Sequence, residues 1–143
     1  MLLMVMTLSS CLESGLDELP LYENAEITNV KFEYRYVGKL VESDQLVVTQ
    51  MKVNKTIDIE NATITVDITV PSIGKTLPES EREKVSLSNL VCYFDLSTAA
   101  VVTTSDIALG KPADFSSKTA HYTIKAANGT TKEWTLVINS FTK

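Results

Sequence analysis

The sequence predicts an all-β chain, a two-layered sandwich of about seven short strands. Three observations predict it. Apolar residues recur with a period of two along most of the chain after residue 26, as half-buried strands require. Proline, glycine and Asx-rich turns separate these runs. Almost nothing carries the 3.6-residue spacing of an amphipathic helix.

The elements follow in order. Val30, Phe32, Tyr34 and Tyr36 share one face of a first strand, and Lys31, Glu33 and Arg35 share the other. Leu46 to Val53 reads as a second strand with Val47, Met51 and Val53 inward. Ala62 to Val70 alternates most cleanly: Ile64, Val66, Ile68 and Val70 point one way, Thr63, Thr65, Asp67 and Thr69 the other. Pro71 ends it, because proline cannot donate to a ladder. Ser72 to Ser86 holds Gly74, Pro78 and the charged run Glu79 to Lys84, which suits a helical turn or a solvated crossover. Leu90, Cys92, Phe94 and Leu96 resume the alternation, followed by a short β-branched run from Val101 to Thr104. Ala120 to Ala126 and Lys132 to Asn139 flank Asn128-Gly129, a strong hairpin signal, with Trp134, Leu136 and Ile138 on one face. One-sided strands and one long crossover favour a Greek-key sandwich over a small barrel. The architecture is immunoglobulin-like without the disulfide of antibody domains.

Composition narrows the function classes. A net charge of −5 and a pI near 4.9 argue against a nucleic-acid partner, which requires a basic stripe. His121 is the sole histidine, and Cys92 the sole cysteine besides Cys11. That inventory offers no zinc constellation and no nucleophile–base pair. No catalytic residue, metal ligand or cofactor is expected, and the protein is expected not to be an enzyme. The carboxylate pairs Asp58 with Glu60 and Asp106 with Asp114 sit at strand ends, where aspartate favours local backbone bonds.

The first residues carry an address. A short apolar run, Leu2 to Met6, leads into Leu8-Ser9-Ser10-Cys11. This resembles the lipobox of bacterial lipoproteins, in which the cysteine becomes the lipid-bearing first residue after cleavage. No Lys or Arg precedes the run, so either the start lies upstream or the signal departs from the common pattern. The resemblance divides the chain into a signal peptide at 1–10, a lipidated N-terminus and tether at 11–25, and one domain at 26–143. It implies a membrane partner through a lipid anchor at Cys11, and a surface-exposed lipoprotein of the outer membrane.

The domain itself resembles the immunoglobulin-like or PKD-like sandwich modules of Bacteroides-type surface lipoproteins. The residues that carry the resemblance are Ile64 to Pro71, Ser86 to Leu90, Phe94 to Ser97, Ala100-Val101, Asp114 to Ser116, Tyr122 to Ala126 and Asn128 to Trp134. Such modules serve glycan uptake, adhesion and spacing, and the resemblance transfers no catalytic residues. Sugar binding would need exposed aromatics. Most aromatics fall inward by alternation, but Tyr93 faces away from Cys92 and Phe94, and Tyr22 precedes the first strand. Tyr93 and Tyr22 are therefore the candidate ligand-binding residues. The leading expectation is a non-enzymatic lipid-anchored envelope protein whose domain binds or displays, accessory to glycan capture. The alternative is a structural or adhesion module that binds another protein.

Overall fold

A computed structural model describes residues 21–40 and 43–143. Cys11 and the whole expected signal peptide lie outside the described residues. Eight strands form two sheets: β1 (Ile27–Leu40), β2 (Ser43–Gln50), β3 (Lys52–Asp58), β4 (Thr63–Thr69), β5 (Leu90–Leu96), β6 (Val101–Ser105), β7 (Thr119–Lys125) and β8 (Thr131–Thr142). The three-stranded sheet runs β2-β1-β5 and the five-stranded sheet β3-β4-β8-β7-β6. All pairs are antiparallel except β4 with β8. The all-β sandwich is therefore present, with eight strands.

The extra strand comes from a corner. The stretch expected as one strand, Leu46 to Val53, divides at Met51 between the two sheets. Met51 is buried, and its N–H donates the last bond to Phe32 O at 2.9 Å before the chain crosses to the other layer. Val47, Thr49 and Met51 are buried and Val53 half-buried, so the alternation persists while the strand changes sheets. The crossover after β4 contains the single-turn helix α1 (Glu79–Arg82).

The core lies between the layers. Phe32 from β1 meets Phe115 edge-to-face at 5.3 Å between ring centroids. Ile64, Val66 and Ile68 of β4 and Trp134, Leu136 and Ile138 of β8 supply the opposite wall. Trp134 has no exposed surface, and its Nε1–H donates to Ala25 O at 2.9 Å. That bond satisfies the polar tip of an otherwise apolar side chain. The turn between β7 and β8 is closed by Ala126 and Thr130, with Gly129 at φ +91°. A left-handed residue in third place is what a three-residue hairpin loop demands, and glycine meets that demand without strain.

Tyr122 shows one imperfection in this interior. Its ring packs edge-to-face on Phe94 at 4.7 Å, yet its buried hydroxyl finds no partner among the described residues. A stranded hydroxyl costs free energy that a methine does not. Tyr122→Phe is accordingly expected to raise stability by about 1 kcal/mol, read from the urea midpoint at unchanged slope. A loss of stability would reveal a partner for that oxygen.

Candidate functional site

The outer face of the three-stranded sheet collects the side chains that alternation turns away from the core. On β1 these are Lys31, Glu33, Arg35 and Val37; opposite them stand Val91, Tyr93 and Asp95 of β5, and Leu46, Val48 and Gln50 of β2. The face has a charged half and an apolar half.

The charged half is internally paired. Arg35 Nη2 lies 3.0 Å from Glu33 Oε2 and also donates to the Tyr93 hydroxyl. The guanidinium carbon sits 5.4 Å from the centre of the Tyr93 ring. Arg35 therefore holds the hydroxyl end of Tyr93 and leaves the flat of the ring uncovered by the guanidinium. Gln50 donates to the other Glu33 oxygen at 2.5 Å. Lys31 pairs with Asp95 at 2.9 Å, and Asn29 Nδ2 donates to the same carboxylate at 2.7 Å. The Lys31 bond first, and the Asn29 bond second, hold the Asp95 carboxyl below its ordinary value. Both ions of the Lys31–Asp95 pair are about half exposed, so it orders the surface more than it stabilises it.

The apolar half is open. Val37 and Leu46 face each other across the β1–β2 ladder and are 70 % and 62 % exposed; Val48, next along β2, is 37 % exposed. Below Tyr34 the first strand is flanked by β5, but beyond it β1 pairs with β2 alone. This half therefore rides on a projecting hairpin.

The two aromatic candidates do not meet. Tyr93 is half-buried on the outer face of the three-stranded sheet, beside the Gly110 loop and with its hydroxyl bonded by Arg35. Tyr22 is 58 % exposed and stands by the other layer, its carbonyl accepting the Asn128 N–H of the β7–β8 turn at 3.1 Å. Cys11, the expected lipidation residue, lies outside the described residues. Val91 shares the face of Tyr93 but is fully buried.

The carboxylates serve turns. Asp58 accepts from the Asn61 side chain at 2.7 Å and its backbone N–H at 3.0 Å, and those bonds, the side chain's first, lower its pKa. Asp114 accepts from the Ser116 N–H at 2.8 Å. Asp106 instead meets His121 Nδ1 at 2.7 Å on the exposed face of the five-stranded sheet, and that bond is the chief cause of its lowered pKa. Glu133, Thr104 and Thr123 complete a shallow depression there. Among the described residues no three His, Cys, Asp or Glu side chains converge as metal ligands. Cys92 is buried, which pushes its thiol pKa up and keeps it unreactive near neutrality. Among the described residues no helix is long and apolar enough to cross a membrane.

The hairpin patch was missing from the alternation reading. Its signal is the run Leu46-Val47-Val48. Three consecutive apolar residues on a strand cannot all face one core, so at least one must face out.

Among curated proteins nothing matches the chain. A crystal structure of a protein of Bacteroides fragilis NCTC 9343, described as a "putative secreted protein", superposes with a TM-score of 0.76 at 37 % identity. The match covers 87 % of this chain and 100 % of that one. The DUF5018-related family model spans residues 27–137, nearly the whole sandwich, and the chain belongs to the DUF5018-related family.

Proposed function

We propose that this protein is a non-enzymatic module, anchored in the outer membrane through a lipid on Cys11 and displayed at the cell surface, that engages another protein through the β1–β2 hairpin. The observation that carries the binding half is the exposed apolar stripe Val37, Leu46 and Val48 on a projecting edge. Exposed aliphatic side chains grouped on a sheet edge suit strand addition by a polypeptide. The envelope half is supported by Leu8-Ser9-Ser10-Cys11 and by the likeness to a Bacteroides protein described as secreted. The immunoglobulin-like reading of the sandwich belongs to the same proposal, since such modules commonly serve display. The glycan-capture reading has less behind it, because Tyr93 is half-buried beside the Gly110 loop and Tyr22 stands alone on the other layer.

A photo-crosslinking residue at position 46, compared with one at position 56 on β3, tests the proposal on intact cells that export the chain. Position 46 is expected to give a discrete protein adduct, identified by mass spectrometry, and position 56 none. Cys11→Ala is expected to release the chain from the membrane fraction. Retardation by a polysaccharide in affinity electrophoresis, with no adduct at position 46, would overturn the reading.

A further inference from the structure

A sheet edge invites pairing unless something blocks it, and natural edges carry recognisable blocks: lysines, bulges, short length or a covering loop. Three of the four edges here have one. β3 bears Lys52 and Lys55. β6 is five residues long and bulged between Val102 and Thr104. β5 is covered by a loop whose Gly110 and Ala113 N–H groups bond to Cys92 O and Leu90 O at 3.0 and 2.9 Å. β2 has no lysine, bulge or shortening, and the crossover reaches it only at its far end, where the buried Thr49 hydroxyl donates to Thr76 O. Its eight residues, Ser43–Gln50, contain no lysine or proline, and its register against β1 is unbroken. Among the described residues no strand pairs with its outer side.

The ladder fixes which backbone groups that outer side presents. Met51 N–H donates to Phe32 O, so Phe32 and Met51 form a hydrogen-bonded antiparallel pair. Such pairs alternate along the ladder. Thr49, Val47, Gln45 and Ser43 therefore turn their N–H and C=O toward β1, and Gln50, Val48, Leu46 and Asp44 turn theirs outward. A strand added antiparallel must bond to those even-numbered residues.

From this we infer that β2 pairs with the β2 of a second copy of this chain about a two-fold axis at Val47. The inference rests on the proposed reading of the hairpin as the contact surface, and it names the partner. Its warrant is self-complementarity. In this register Leu46 lies opposite the partner's Val48 and Asp44 opposite the partner's Gln50, each pair using the outward backbone groups. Val47 faces the partner's Val47 on the core side, and Gln45 faces the partner's Thr49. Apolar meets apolar, polar meets polar, and no like charges are opposed. The shift by two residues that would centre the axis on Leu46 sets Asp44 against Val48 and loses a bonded pair. An odd shift mismatches the free donors and acceptors altogether. The exposed stripes of the two copies, Val37-Leu46-Val48 each, merge into one continuous strip across the axis. The two small sheets become one six-stranded sheet, ordered β5-β1-β2-β2-β1-β5.

The test uses the full-length chain carrying Cys11→Ser in detergent, so that neither lipid nor a thiol at that position contributes. Sedimentation equilibrium over a concentration series is expected to show a monomer–dimer equilibrium. Val48→Pro removes an N–H that points outward, so it spares the β1–β2 ladder. It is expected to weaken the dimer about thirty-fold, through loss of two symmetry-related hydrogen bonds, with an unchanged circular dichroism spectrum. The register is read by oxidative crosslinking. Val47→Cys places two thiols in a non-hydrogen-bonded pair, with Cα atoms about 4.5 Å apart, within disulfide reach. It is expected to crosslink, and Leu46→Cys, offset from its own copy, is not. A monomer at every concentration with no Val47→Cys crosslink overturns the inference. If position 46 still yields an adduct with a different protein on cells, the display reading stands without it. Crosslinking through Leu46→Cys but not Val47→Cys overturns the register.

Discussion

Trp134→Ala is expected to cost the protein about 4–6 kcal/mol of stability, the largest loss of any single substitution considered. The side chain is fully buried on the central strand of the larger sheet. Truncating a buried tryptophan costs about 3–5 kcal/mol from lost burial and the cavity left behind. The substitution also strands the Ala25 carbonyl, which loses its 2.9 Å partner. That adds about 1 kcal/mol or more if water cannot replace it. Against a total stability of roughly 5–15 kcal/mol for a domain of this kind, that is a large share of what holds the fold. Urea unfolding followed by circular dichroism measures the loss. Trp134→Phe bears on the two contributions differently, since it keeps the six-membered ring while losing the indole donor and the five-membered ring. It is expected to fold, at a clearly lower midpoint. A near-native midpoint for Trp134→Ala would mean that the interior collapses onto the gap or that this residue does not bridge the layers.

Phe32→Ala is expected to cost about 3–5 kcal/mol for the same reason on the opposite wall. Phe32 is fully buried on β1 and packs edge-to-face against Phe115, which lies in the long connection between β6 and β7. The pair therefore fastens that connection to the smaller sheet. Phe115→Ala alone and the double substitution complete a thermodynamic cycle. A coupling of about 0.5–1.5 kcal/mol is expected, the surplus of an aromatic pair over its buried area. Coupling near zero would show that each ring is held by its other neighbours and that the edge-to-face geometry is incidental.

Much of this interior was legible in the sequence because alternation reports directly on which side chains leave water. Ile64, Val66, Ile68 and Val70 were expected on one face of a strand and are all buried there. Trp134, Leu136 and Ile138 were expected together and lie together. The helical turn in the charged run is α1. Alternation is blind to which sheet a strand joins, and that is where the reading stopped short. Leu46 to Val53 keeps one periodicity across the corner at Met51, so one run became two strands in two layers. The same blindness hid the candidate surface. Tyr93 was assigned its outward direction from its neighbours, and it does face outward. Its partners are Arg35, reaching along the adjacent strand to its hydroxyl, and the loop at Gly110 beside its ring. Only strand pairing and loop placement, both non-local, bring these groups together. The open edge of β2 is likewise a property of the sheet order and not of any local pattern.

The placement of β8 has a consequence for how the chain comes into being. It fills the middle of the larger sheet, between β4, its only parallel neighbour, and β7. It is also the last of these eight strands to be synthesised. Until it arrives, β3–β4 and β6–β7 are two separate ribbons with no shared wall, and contacts this distant in sequence form slowly. Closure of the larger sheet must therefore wait for β8, and until then the two ribbons stay free to rearrange.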